Sequence, residues 1–152
     1  MWQTKQSVVT SAAPAAVWAV LSEVNAWPEW NPGLKSASLE GPLTAGAIGT
    51  VTLPDGRRRV MRLDEIEVNA ALVYSGSAPP GRIHFINRIE SARDGGSTVT
   101  MGAAISGLLA PLYGRLFGRV IASYLPTAVA QLAARAEATE HGREGGSQVA
   151  RG

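Results

Sequence analysis

Chemistry near neutral pH needs groups that titrate, attack or ligate, and this sequence carries few of them. His84 is the one histidine ahead of a polar C-terminal stretch that holds His141. Imidazole is the side chain best suited to acid–base work near pH 7. Alternation along a strand, however, groups His84 with Ile86, Arg88 and Glu90, opposite the more apolar set Ile83, Phe85, Asn87 and Ile89. His84 therefore points to solvent. Asp64-Glu65 and Glu67 have the composition of paired carboxylates, but Glu65 and Glu67 share what reads as an outer strand face. Arg57-Arg58-Arg59 follows Asp55-Gly56 at a hairpin tip. It reads as a solvated turn, because arginines without interleaved aromatics do not make a nucleic-acid site. Gly95-Gly96-Ser97 leads into a strand and not a helix, so it is not a phosphate loop. The absence of cysteine excludes thiolate nucleophiles, disulfides and thiolate metal sites, and two histidines cannot build a His-rich one. No catalytic residue, metal or cofactor is assigned on these grounds.

The remaining polar candidates suit holding an apolar guest better than reacting with it. Asn87 lies on an otherwise apolar strand face, and a buried amide needs partners. Those partners are either a ligand carbonyl or hydroxyl, or the backbone and water. Tyr74 points inward by parity, whereas Tyr113 and Tyr124 fall on a helix where tyrosines are commonly structural. Trp27 reads as packing, and Trp30, following Pro28, as nearer an opening.

These groups must be positioned by the surrounding elements. Residues 2–10 have strand composition, and Pro14 sits in the first turn of a short helix over about 14–24, where its missing N–H costs nothing. Trp27-Pro28-Glu29-Trp30-Asn31-Pro32 allows a turn or a single helical turn. Strand-like runs at 34–40, 48–53, 58–68, 71–78, 82–92 and 97–106 alternate with turn residues, which predicts an antiparallel meander. Inward parity selects Val51, Leu53, Leu72, Tyr74, Gly76, Val99, Met101, Ala103 and Ile105. Within 58–68, Met61 and Leu63 fit one parity and Ile66 and Val68 the other, which a β-bulge near Asp64-Glu65 reconciles. A wide apolar helical face from Leu109 through Leu132 predicts a helix over about 110–138, about 43 Å long, kinked at Pro126. The expected organisation is one domain over 1–138 and a disordered tail over 139–152, rich in Gly, Ser and charge.

Composition agrees with a packed domain. Of 152 residues, 45% are hydrophobic and 17% charged, too apolar for a disordered chain and too lightly charged for a coiled coil. The net charge of +2 is small and scattered, so nucleic acid is not an expected partner. No apolar run approaches a membrane span, and Met1-Trp2-Gln3-Thr4-Lys5-Gln6 lacks the pattern of a signal peptide. A soluble cytoplasmic protein is expected, its oligomeric state left open.

The order is strand, short helices, meander, long helix. It defines an α+β helix-grip architecture: a curved antiparallel sheet of about seven strands around a C-terminal helix. One helix cannot fill the hollow of such a sheet, and small inward residues (Gly76, Ala103) hint at a cavity. Its candidate lining is Trp30, Val51, Leu53, Met61, Leu63, Tyr74, Phe85, Asn87, Met101 and Ala103, with Leu116 and Val120 from the helix. Several stretches also resemble the polyketide cyclase/dehydrase-like branch of the START/Bet v 1-like (SRPBCC) superfamily. They are Ala13-Pro14-Ala15-Ala16-Val17-Trp18, Leu21-Ser22, Trp27 to Pro32, Asp94 to Thr100, and Ser106-Gly107 with its long helix. The resemblance spans about residues 2–138 and implies a helix-grip fold with a deep hydrophobic cavity. Members bind lipids, sterols, polyketides and hormones, and some are cyclases or dehydratases. It implies packing by Trp18 and Leu21, a plug at Trp27, and a place for Trp30-Asn31 at the cavity mouth. Ser97 is an extra residue beside the usual Gly-Gly-Thr, read as a longer turn. The expected function is binding of a small hydrophobic or aromatic, lipid- or polyketide-like molecule. A polyketide cyclase/dehydratase and a protein-interaction module without a ligand are the alternatives.

Overall fold

The computed structural model describes the backbone of residues 2–78 and 81–150 and the side chains of 2–77 and 81–140. The chain begins with β1 (Trp2–Thr10), α1 (Pro14–Leu21) and a 3-10 helix (Val24–Glu29). The strands β2 (Ser36–Leu39), β3 (Ile48–Thr52), β4 (Arg58–Glu67), β5 (Ala71–Ala78), β6 (Gly81–Ser91) and β7 (Ser97–Ser106) follow. The helix α2 (Ala110–Ala150) comes last. Pro14 is at the start of α1, as its fixed φ favours, and Pro28 confines the next segment to the tighter 3-10 form.

All seven strands join one antiparallel sheet in the order β1-β7-β6-β5-β4-β3-β2. The sheet is curved, with the long helix packed against it, which is the expected helix grip. Each consecutive strand from β2 to β7 pairs with the next, and β1 closes onto β7 with Trp2 opposite Ile105. The register of β4 on β5 shifts between Leu63 and Glu65, so the expected bulge is present. It keeps Met61 and Leu63 buried and turns Asp64 to the outer face. Tight turns fall at Asn69 (φ 65°) and Gly95 (φ 88°), residue types that tolerate the left-handed region.

The inner face of β7 is strictly alternating: Val99, Met101, Ala103 and Ile105 are buried, and the residues between them are half-buried. Ser97 does more than lengthen a turn. It is fully buried, and its hydroxyl donates to the Ala12 carbonyl at 2.7 Å, fastening β7 to the link between β1 and α1. The far half of α2 is fastened to the same link. Thr10 Oγ1 donates to Glu137 Oε1 at 2.5 Å, and the Ala13 amide to Glu140 Oε2 at 3.0 Å. The helix therefore passes the boundary expected at 138 and includes Pro126 within one continuous element. Of the expected tail, residues 151–152 and the side chains from 141 onward lie outside the described residues.

The two halves of α2 pack differently. From Ile121 on, large side chains (Leu125, Val129, Leu132) enter the core. Before it, the buried positions are Ala110, Gly114 and Gly118, and the glycines lie against the indole of Trp2. This reverses the expectation for Leu116 and Val120, which are 60% and 61% exposed and line no interior. A helix has one inward face per turn, and here the small residues take it because only they permit close approach to Trp2. Adding side-chain bulk at Gly114 drives a Cβ into the Trp2 ring. Gly114→Leu is expected to lower stability by about 1–3 kcal/mol in thermal or urea unfolding despite its better helix propensity.

Candidate functional site

The interior centres on a run of rings. Tyr74 on β5 stacks on Phe85 of β6 with centroids 4.9 Å apart and planes at 19°. Its other neighbour is Trp27, also at 4.9 Å, tilted by 35°. Trp27 is fixed by its own hydrogen bond, Nε1 to the Leu21 carbonyl at 2.8 Å, and so plugs the end of the grip. Asn87 is buried beside these rings, and its Nδ2 donates to the Leu72 carbonyl at 3.1 Å. The backbone thus satisfies one of its two roles considered from sequence.

Trp30 departs from expectation. It is not at a mouth; it is 2% exposed, as enclosed as Trp27. Its indole Nε1 nevertheless has no hydrogen-bond partner. With Leu21, Trp27, Asn31, Tyr74, Asn87 and Met101 it surrounds a narrow void between packed side chains. That space is too finely divided to admit a water molecule. The hollow expected from the curved sheet is therefore largely occupied by the protein's own rings. Ala103 is buried in the core, and a Cβ on Gly76 would make an ordinary contact with the Val60 carbonyl at 3.4 Å, so neither small residue opens a cavity.

Of the expected lining, Trp30, Tyr74, Asn87 and Met101 meet at this void. Val51, Met61, Leu63 and Ala103 are buried in the surrounding core, and Phe85 packs against it. Leu53, just past β3, is half-buried and outside the core cluster, because the chain has already begun its turn to Arg57. Leu116 and Val120 lie on the outer surface. Leu21, Trp27 and Asn31 complete the lining. Asn31 was legible as a polar residue between prolines, but its burial depends on the fold of the 3-10 segment.

His84 lies on the outer face as expected, with Nδ1 3.9 Å from Asp64 Oδ2. Partial burial opposes ionisation of Asp64, but the Ser75 hydroxyl, the Arg62 guanidinium and His84 outweigh it and hold the carboxyl below its usual range. This cluster is separated from the void by the sheet. The phenols behave oppositely. Burial, with Tyr124 nearby, pushes Tyr74 far above its ordinary value, and burial pushes Tyr124 up to about 12. Both are neutral hydrogen-bonding groups at any working pH. Among the described residues no His/Asp/Glu group has the arrangement of a metal site.

A curved sheet gripping a long helix around a ring-lined interior defines the helix-grip class. A family profile described as polyketide cyclase/dehydrase and lipid transport matches residues 1–139. The chain belongs to that family. Solved structures share the fold. The protein XoxI from Bacillus cereus is 21% identical, with a TM-score of 0.69 over 93% of this chain and 99% of that one. The Zhui aromatase/cyclase from a Streptomyces species is 14% identical, with a TM-score of 0.70 over 90% and 93%. Ara h 8.0201 is 17% identical, with a TM-score of 0.60 over 86% and 97%. No curated protein matches by sequence.

Two outcomes test this geometry. Asn87→Ala removes the side-chain bond to the Leu72 carbonyl, which keeps its place in the β5–β6 ladder, and should cost about 1 kcal/mol by urea unfolding. The raised phenol of Tyr124 favours the folded state while the unfolded phenol, near 10, is still protonated. The Tyr124 contribution to stability should thus be flat below about pH 10 and turn unfavourable as pH rises towards 12. Tyr124→Phe should reduce that slope in urea midpoints measured against pH.

Proposed function

We propose that this protein binds a small, flat, apolar molecule carrying a hydrogen-bond acceptor, held between the rings of the interior. The observation that supports this most directly is the enclosed Trp30 Nε1, a donor without a partner at the void. Indole N–H can only donate, and leaving such a group unmade in a buried site costs about 1–3 kcal/mol. A ligand carbonyl or ether oxygen beside Trp30 recovers that loss. The stacked faces of Tyr74, Phe85 and Trp27 suit a planar aromatic body. Family membership and the shared fold of the aromatase/cyclase support the same ligand class.

The void as it stands is too small for such a guest, so binding requires the interior to open. Met101 lines the void and Met61 belongs to the surrounding core, and unbranched thioether side chains repack readily. The lining supplies amides, a neutral phenol and indoles, but no carboxylate or imidazole among the described residues to accept a proton. This favours carriage or sequestration over cyclisation, in which an enolate must be formed by a base.

Fluorenone and fluorene present one ring frame with and without a carbonyl. Titration should give saturable tryptophan quenching by both, with fluorenone tighter by about 5–10-fold. Trp30→Phe should erase that preference while leaving fluorene affinity nearly unchanged. Absence of saturable quenching by either compound would refute the proposal.

A further inference from the structure

The outward face of α2 carries an apolar stripe. Leu109, Leu112, Leu116, Phe117 and Val120 follow helical spacing and are exposed, continuing from Leu108, which is 94% exposed. Phe117 also stacks on Tyr113, at 5.8 Å. A run of large apolar side chains on one surface is unusual for a protein that leaves it to water. Its surroundings are cationic. Arg115 and Arg119, one turn apart, are exposed along its edge, and among the described residues neither pairs with a carboxylate. The sequence has no Asp or Glu from Ser97 through Ala136.

Register places further arginines at the same end of the sheet. Trp2 is opposite Ile105, Arg82 opposite Ser106, Gly81 opposite Ala78, and Arg58 opposite Thr52. With Met61 opposite Gly76, the start of α2 and the Arg57-Arg58-Arg59 turn share one end, where Arg57 is paired with Asp55. Beside the stripe, between β1 and α2, is an open groove of about 650 Å³ lined in part by Trp2, Gln3, Arg115 and Arg119. Two guanidiniums and an indole at the border of an apolar surface match the chemistry of a lipid interface: phosphate at the rim, acyl chain beneath.

We propose that this face of α2, with the arginines at its edge, docks the protein onto an anionic phospholipid surface. No described helix is long and apolar enough to cross a membrane, so the contact is peripheral. Charge favours lipid over a second copy of the chain. A self-association across this stripe would bring Arg115 and Arg119 towards their own equivalents, with no carboxylate on the segment to receive them. The site is on the opposite side of α2 from the ring-lined interior, and the proposal does not depend on what the interior binds.

The test is cosedimentation of the full chain with vesicles of phosphatidylcholine alone, or of phosphatidylcholine and phosphatidylglycerol mixed about two to one. The protein should partition onto the anionic vesicles, less so at high salt, and far less onto neutral ones. Arg115→Ala and Arg119→Ala should each reduce partition about fivefold. Leu112→Glu with Leu116→Glu should reduce it by more than about tenfold. All of these positions are exposed, and circular dichroism and melting should be unchanged. Failure to sediment with anionic vesicles, or partition that the arginine variants leave intact, overturns the proposal. A solution dimer that the double glutamate variant splits into monomers overturns it also, by assigning the stripe to a second copy.

Discussion

The close approach of α2 to Trp2 sets much of the remaining structure. The helix has two apolar faces in its first half, one of Ala110, Gly114 and Gly118 and one of Leu112, Leu116 and Val120. Hydrophobicity alone favours burying the second. The indole of Trp2 occupies the space beside the helix, and a side chain larger than hydrogen at Gly114 or Gly118 meets it. The small face is therefore turned inward and the large one outward. Beyond Ile121 the constraint is released, and leucines and valines enter the core in the ordinary way. One helix thus supplies both a wall for the interior and an exposed surface.

The interior is held by a different balance. Trp27, Tyr74 and Phe85 fill by stacking what the curvature of the sheet leaves open. Two of the amide and indole groups among them are satisfied by backbone carbonyls, those of Asn87 and Trp27. Trp30 Nε1 is not. In a close-packed interior an unmade donor is costly, and such groups are rare enough to require a reason. The packing is near completion at every point of this cluster except the one that offers a hydrogen bond.

Membership of the polyketide cyclase/dehydrase and lipid transport family fixes the scaffold. Chemistry on a shared scaffold is decided by the side chains of the site. Here the titratable cluster Asp64–His84 lies outside the sheet, and the interior phenols are locked in the neutral form. The arrangement places the Asp64–His84 pair and the apolar interior on opposite faces of the sheet.

Most of the scaffold was legible in the residues. Alternation with period two located the strands and the inward set on β7, and the parity break after Leu63 located the bulge. Those features are local consequences of backbone geometry, which repeats along the chain whatever lies across from it. The site was less legible. Trp30 was read from its flanking prolines as near an opening, and the 3-10 segment buried it. Leu116 and Val120 were read as lining because their spacing is helical and apolar, a pattern that identifies a helix but not which of two apolar faces turns inward. Only the tertiary structure decided that, by setting an indole from the first strand against two glycines more than a hundred residues away. The sequence determined which faces could be buried; contact between distant residues determined which one was, because close packing is a property of pairs of surfaces.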